Sequence, residues 1–199
     1  MTRHIGRLAG VFACALLFPG TAQAHLVSTR FGDFYDGMLH PVTSLEHIVP
    51  WLALGLLMAA RPQAGRWALL AFPAGLAIGV TLDAAMPALP GFGTANLVSI
   101  LVLGGLVALD LPLSAAAFAV IACALGISHG YVNGTAMAAT TNPVLFAPGV
   151  VMAGYLMILL TAAAGAFVTR RWSAARIALR ALGSWIFAIG VMMLGTALA

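Results

Sequence analysis

Long apolar runs separated by short polar clusters organise this chain, and most of the runs approach the roughly 20 residues that a helix needs to cross a bilayer. Six of them follow residue 43, at approximately 44–60, 67–83, 95–109, 113–127, 148–168 and 178–198. The third and fourth would merge but for Asp110-Leu111-Pro112, where the proline and the residue before it disfavour a helix, so a hairpin is expected there. A shorter run at 8–18 is of another kind. Arg3 and Arg7 precede it and Ala22-Gln23-Ala24 follows, the layout of a secretory signal peptide with an A-x-A cleavage site. The expected organisation is a signal peptide at 1–24, a periplasmic segment at 25–43 and a transmembrane domain at 44–199. The fold class that follows is an all-α integral membrane protein, a six-helix transmembrane bundle whose mature chain starts at His25.

Composition agrees with the pattern. With 62% hydrophobic residues, 7% charged residues and a mean hydropathy of +1.06, the chain has more apolar side chain than one soluble core could hide. The lipid bilayer is therefore its first partner. The net charge of +4 comes from arginine alone, and the arginines are not gathered as a nucleic-acid footprint would be, so no nucleic-acid partner is implied. Instead they mark a side. Arg61 and Arg66 follow the first run, and Arg170, Arg171, Arg176 and Arg180 follow the fifth, which with six crossings puts both loops in the cytoplasm. Cleavage after Ala24 gives the same orientation, N-out and C-out in a bacterial inner membrane. Cys14 leaves with the signal peptide, and Cys123 is then alone and reads as a small buried residue.

In so apolar a chain the ionisable residues call for a reason, because placing one in a span costs roughly 2.5–3.5 kcal/mol even on insertion scales. His40, Glu46 and His47 stand where the first span begins, and His129 stands at the expected outer end of the fourth. A free N-terminal His25 would add an amine and an imidazole on the same face. Imidazole and carboxylate suit a divalent transition metal such as nickel, cobalt, zinc or copper(II) better than calcium or magnesium. In a continuous helix His40 and His47 would sit roughly 10 Å apart along the axis. Pro41 resolves this by opening a helix, which leaves His40 in the entering loop, able to fold over Glu46 and His47. Glu46 could be a ligand or could orient an imidazole.

Two other chemistries are weighed and set aside. Gly126-Ile127-Ser128-His129-Gly130 satisfies G-x-S-x-G, but it lies at a helix end and not on a strand-turn-helix elbow, so no enzyme is expected. A transmembrane haem would need facing histidines within spans, and the histidines are expected at one membrane face, so no prosthetic group is expected either.

The Ala24-His25 junction, the His40-Pro41 pair followed after four residues by an acid and His47, the six spans and His129-Gly130 together resemble the HupE/UreJ family of membrane proteins. The resemblance spans essentially the whole mature chain. It implies uptake of nickel or cobalt, association with hydrogenase or urease maturation, and motif residues at His40, Glu46 and His47, with His129 as a second matching position. The family's usual acid is aspartate, so Glu46 departs from the pattern, as does Thr43-Ser44 where glycines are common. The segment Phe31-Gly32-Asp33-Phe34-Tyr35-Asp36-Gly37 resembles a divergent branch of unknown cargo. A membrane metal-binding accessory protein or sensor is the alternative to a permease.

Overall fold

The computed structural model describes residues 24–198, with side chains from Gly32 onward. The expected signal peptide with Cys14, and the side chain of His25, lie outside the described residues. All the described elements are helical: α1 (Ala24–Leu39), a 3-10 turn (Pro41–Thr43), α2 (Leu45–Ala60), the short α3 (Pro62–Gly65), α4 (Ala68–Ala85), α5 (Phe92–Leu109), α6 (Ala115–Thr135), α7 (Pro143–Arg171) and α8 (Ala175–Leu198). Five helical stretches are long and apolar enough to span a membrane. A sixth crossing exists only if Gly32–Thr43 and Leu45–Ala60, bent 78° to each other, are counted together.

That bend corrects the first expected span. The 16 residues of α2 rise about 24 Å, short of the roughly 30 Å of hydrocarbon, so α2 by itself is not a full crossing. Ser44 is extended (φ −110°, ψ 120°), which separates the 3-10 turn from α2. Inside α2, Pro50 deprives the Glu46 carbonyl of its helical donor.

Two other boundaries move. α6 runs to Thr135 where an end near 127 was expected, so His129 lies well inside a helix. α7 begins at Pro143, where the Asn142 side chain accepts from the Val144 N–H at 3.0 Å, and it carries Pro148 in its interior. The hairpin at Asp110 is present. Asp110 adopts a left-handed conformation (φ 51°, ψ 40°) that ends α5, and Ser114 caps α6 by accepting from the Ala117 N–H at 3.1 Å.

The closest helix pair is α4 with α6, which run parallel. Gly75 and Gly79 of α4 face Gly126 and Gly130 of α6, and a Cβ on Gly79 or Gly130 would run into the opposing backbone carbonyl of Ile127 or Leu76. This is small-xxx-small packing, in which van der Waals contact between backbones replaces the hydrophobic drive that lipid cannot supply. α5 pairs antiparallel with α8, and α1 lies on α7. The helix α2 packs against both α5 and α7 and brings Trp51, Leu54 and Leu57 into the core. The bundle thus has a histidine face, where α2 begins and α6 ends, and an arginine face around the Asp110 hairpin. There the Asp110 carboxylate pairs with Arg61 at 2.8 Å and with Arg176 at 2.9 Å.

Candidate metal centre

His47 enters the bundle from the first turn of α2 because the bend at Ser44 aims that turn inward. His129 reaches the same point from α6, whose glycine face is pressed on α4. Both imidazoles are 0% exposed, and their Nδ1 atoms lie 2.8 Å apart. The rings meet edge to face with centroids 5.1 Å apart, and the Trp51 ring lies 6.1 Å from each of them.

Hydrogen bonding around the pair assigns its protons. The Ser99 hydroxyl donates to the Asn96 carbonyl at 2.6 Å, so its oxygen is left to accept from His129 Nε2 at 3.2 Å. His129 therefore carries its proton on Nε2 and turns a bare Nδ1 toward His47, which donates from its own Nδ1. Asn133 completes the ring of polar groups. Its amide donates to the His129 carbonyl at 2.8 Å, and the same nitrogen lies 3.4 Å from His47 Nε2. Next to it, Ser128 donates to Asn96 Oδ1 at 2.5 Å. Ser128 thus gives its proton to an amide and not to a base, unlike the nucleophile of the G-x-S-x-G reading.

Three buried polar atoms among the described residues have no partner: Trp51 Nε1, Asn96 Nδ2 and Asn133 Oδ1. All belong to residues of this cluster. Unsatisfied buried groups are rare in folded proteins, and several around one histidine pair are what a site that takes up a ligand would leave behind.

The other candidates stand farther out. His40 is half-buried and precedes the 3-10 turn opened by Pro41, with its ring 6.1 Å from that of His47. It folds back to a ring contact with His47 but makes no hydrogen bond to either member of the pair. The Glu46 side chain is 40% exposed, accepts from the Ser44 hydroxyl at 3.3 Å and comes no closer than 3.9 Å to His47 Nε2. Among the described residues no three His, Cys, Asp or Glu side chains converge closely enough to hold an ion unaided.

His129 lies within α6 and not at its end, and its Nδ1, 2.8 Å from that of His47, leaves no space for a macrocycle between the two. Ser99 of α5 holds His129 from the far side of the ring. From the pair toward the arginine face, Trp51, Leu54, Phe72 and Leu76 form a buried apolar layer, with Trp51 and Phe72 edge to face at 5.4 Å.

Comparison with known proteins gives a consistent relationship along the chain. Residues 13–193 match the family described as HupE / UreJ protein. The Protein HupE of Rhizobium leguminosarum bv. viciae is 31% identical over 149 residues, which cover 73% of this chain and 76% of that protein. No solved structure matches the chain.

Proposed function

Because the chain belongs to the HupE/UreJ family, we propose that it takes a divalent transition metal, nickel or cobalt first, between His47 and His129 and carries it inward across the inner membrane. The observation that carries this reading is the 2.8 Å approach of two fully buried imidazole nitrogens. Two nitrogens bound to one ion at right angles, with bonds of about 2.0–2.1 Å, lie about 2.9 Å apart. One shared proton is what separates the pair from that arrangement. The ion takes its place, and His47 then holds its hydrogen on Nε2, the nitrogen that faces the Glu46 carboxylate. Glu46 is then an orienting group more than a ligand, and its extra methylene relative to aspartate suits the longer reach. Asn133 Oδ1, which has no partner, is available as a further donor. His40, with His25 if cleavage frees it, receives the ion on the periplasmic side.

A specific feature favours a second reading. The apolar layer of Trp51, Leu54, Phe72 and Leu76 closes the way from the pair to the arginine face. A non-transporting accessory protein or sensor that hands metal to hydrogenase or urease maturation machinery would need no such way. In both readings the chain is not an enzyme. Proteoliposomes separate them. Entry of nickel or cobalt that His47→Ala and His129→Ala abolish supports transport, whereas binding that those substitutions abolish without any entry supports the accessory role. Binding indifferent to both substitutions would remove the site.

A further inference from the structure

A second cluster of chemistry lies at the opposite end of the bundle. A cavity of about 240 Å³ opens on the arginine face between the end of α2, the α5–α6 hairpin, the end of α7 and the start of α8. Its floor includes Ala59, Val107 and Leu179, and its polar wall is Arg170, Arg176, Arg180 and Asp110.

The charges of this wall do not balance. Asp110 is its single acid, and both carboxylate oxygens are already engaged, one by Arg61 at 2.8 Å and one by Arg176 at 2.9 Å. Arg180 uses Nε to donate to the Ala108 carbonyl at 2.9 Å, which fixes the base of its fork and leaves its two terminal nitrogens to point elsewhere. The Arg170 side chain has no ion pair or hydrogen bond among the described residues. The positive-inside bias accounts for arginines on this side of a membrane protein. It does not account for their meeting at one cavity, since Arg66 lies on the same face but outside it, with its guanidinium 5.5 Å from the Trp67 ring.

We propose that this cavity binds a phosphate group, supplied by the headgroup of an anionic lipid or by a free phosphate. Two guanidinium forks, one of them anchored, match the oxygens of a phosphate in paired charge-assisted hydrogen bonds. The apolar floor suits a ligand whose remainder enters lipid, and basic pockets between membrane helices are recurrent headgroup sites. Size restricts the ligand, because the cavity is smaller than the ~300 Å³ at which pockets begin to enclose drug-sized molecules. It takes a small anion or a headgroup.

The full chain, purified in detergent, tests this by native mass spectrometry with phosphatidylglycerol and phosphatidylcholine, and by thermal unfolding in inorganic phosphate against chloride at equal ionic strength. Loss of two charge-assisted contacts in the double variant Arg170→Gln/Arg180→Gln is expected to lower retention of the anionic lipid, or the apparent phosphate affinity, about tenfold. Arg66→Gln/Arg171→Gln, which removes equal charge from the same face, is expected to leave both within about twofold, as exposed charges away from the site should. A response to lipid alone identifies a headgroup, and a response to inorganic phosphate identifies a soluble source. If the double variant does not fold, Arg170→Gln alone gives the reading, since that side chain holds nothing in place. Equal effects of the two double variants, or no preference for phosphate over chloride together with none for phosphatidylglycerol over phosphatidylcholine, would overturn the proposal.

Discussion

The hydroxyl proton of Ser99 decides which lone pair His129 offers to its neighbour. Because that proton goes to the Asn96 carbonyl, His129 must keep its own hydrogen on Nε2, and Nδ1 is left to face His47. Removing the hydroxyl removes the restraint, and groups that orient a ligand typically contribute 10–100-fold to metal affinity. Ser99→Ala is therefore expected to weaken nickel or cobalt binding about tenfold while the protein still folds, as competition with a metallochromic chelator would measure. Unchanged affinity would show that His129 is held by something else. His47→Ala and His129→Ala should each cost about 100-fold or more in the same assay, and Glu46→Gln about tenfold, because glutamine can still accept a hydrogen bond but brings no charge. If Glu46→Gln matched the histidine variants, Glu46 would be a ligand. The ionisable members of the cluster were legible in the sequence because such residues are so scarce in this chain. Asn96, Asn133 and Trp51 were not, because neutral polar side chains raise little alarm on an apolar helix. Spacing carried a weak signal all the same: His129 and Asn133, like Asn96 and Ser99, are neighbours on one helix face.

At the scale of elements, the histidine pair depends on a contact built from glycines. α6 can bring His129 inward only while its glycine face lies against α4, and Gly126 meets the Phe72 carbonyl and Gly75 so closely that a Cβ there has no room. Gly126→Val is expected to destabilise the bundle by about 3 kcal/mol, at the upper end for overpacking, and to reduce metal binding with it. Thermal unfolding in detergent would show the first effect, and a midpoint equal to that of the parent would mean that α4 and α6 part more easily than their packing implies. Gly75 and Gly79 carry a signal visible in the sequence, since small residues four apart suit close helix packing. The end of α6 was not legible in this way, because Gly130 and Gly134 suit either a sharp turn or a close approach, and in a tightly packed parallel pair they permit the helix to continue. Pro143 likewise opens α7 where Pro148 was expected near its start, since proline is at home in a first turn and is tolerated inside a membrane helix whose neighbours satisfy the freed carbonyl.

Taken whole, the bundle has two unlike ends, one set by histidines and amides and one by arginines. By the positive-inside bias the arginine end is expected in the cytoplasm. An impermeant thiol reagent added to intact cells should then label Ala138→Cys and should label Ser173→Cys only after permeabilisation; the reverse pattern would invert the orientation. The alternation of helices was readable from hydropathy, because lipid demands about 20 apolar residues per crossing. The bent first crossing was not, since nothing in the hydropathy pattern separates a short span from half of a longer, jointed one. That joint has a mechanical consequence. A straight helix would hold His40 and His47 roughly 10 Å apart along its axis, whereas the 78° elbow at Ser44 brings their rings to 6.1 Å. The outer arm of the elbow is strapped to α7, where Gly37 abuts Phe146, Gly149 abuts Phe34, and Asp33 accepts from the Asn142 N–H at 2.8 Å. A displacement of α7 therefore acts on His40 as on the end of a lever, and the separation of the two imidazoles becomes a readout of the angle at one serine.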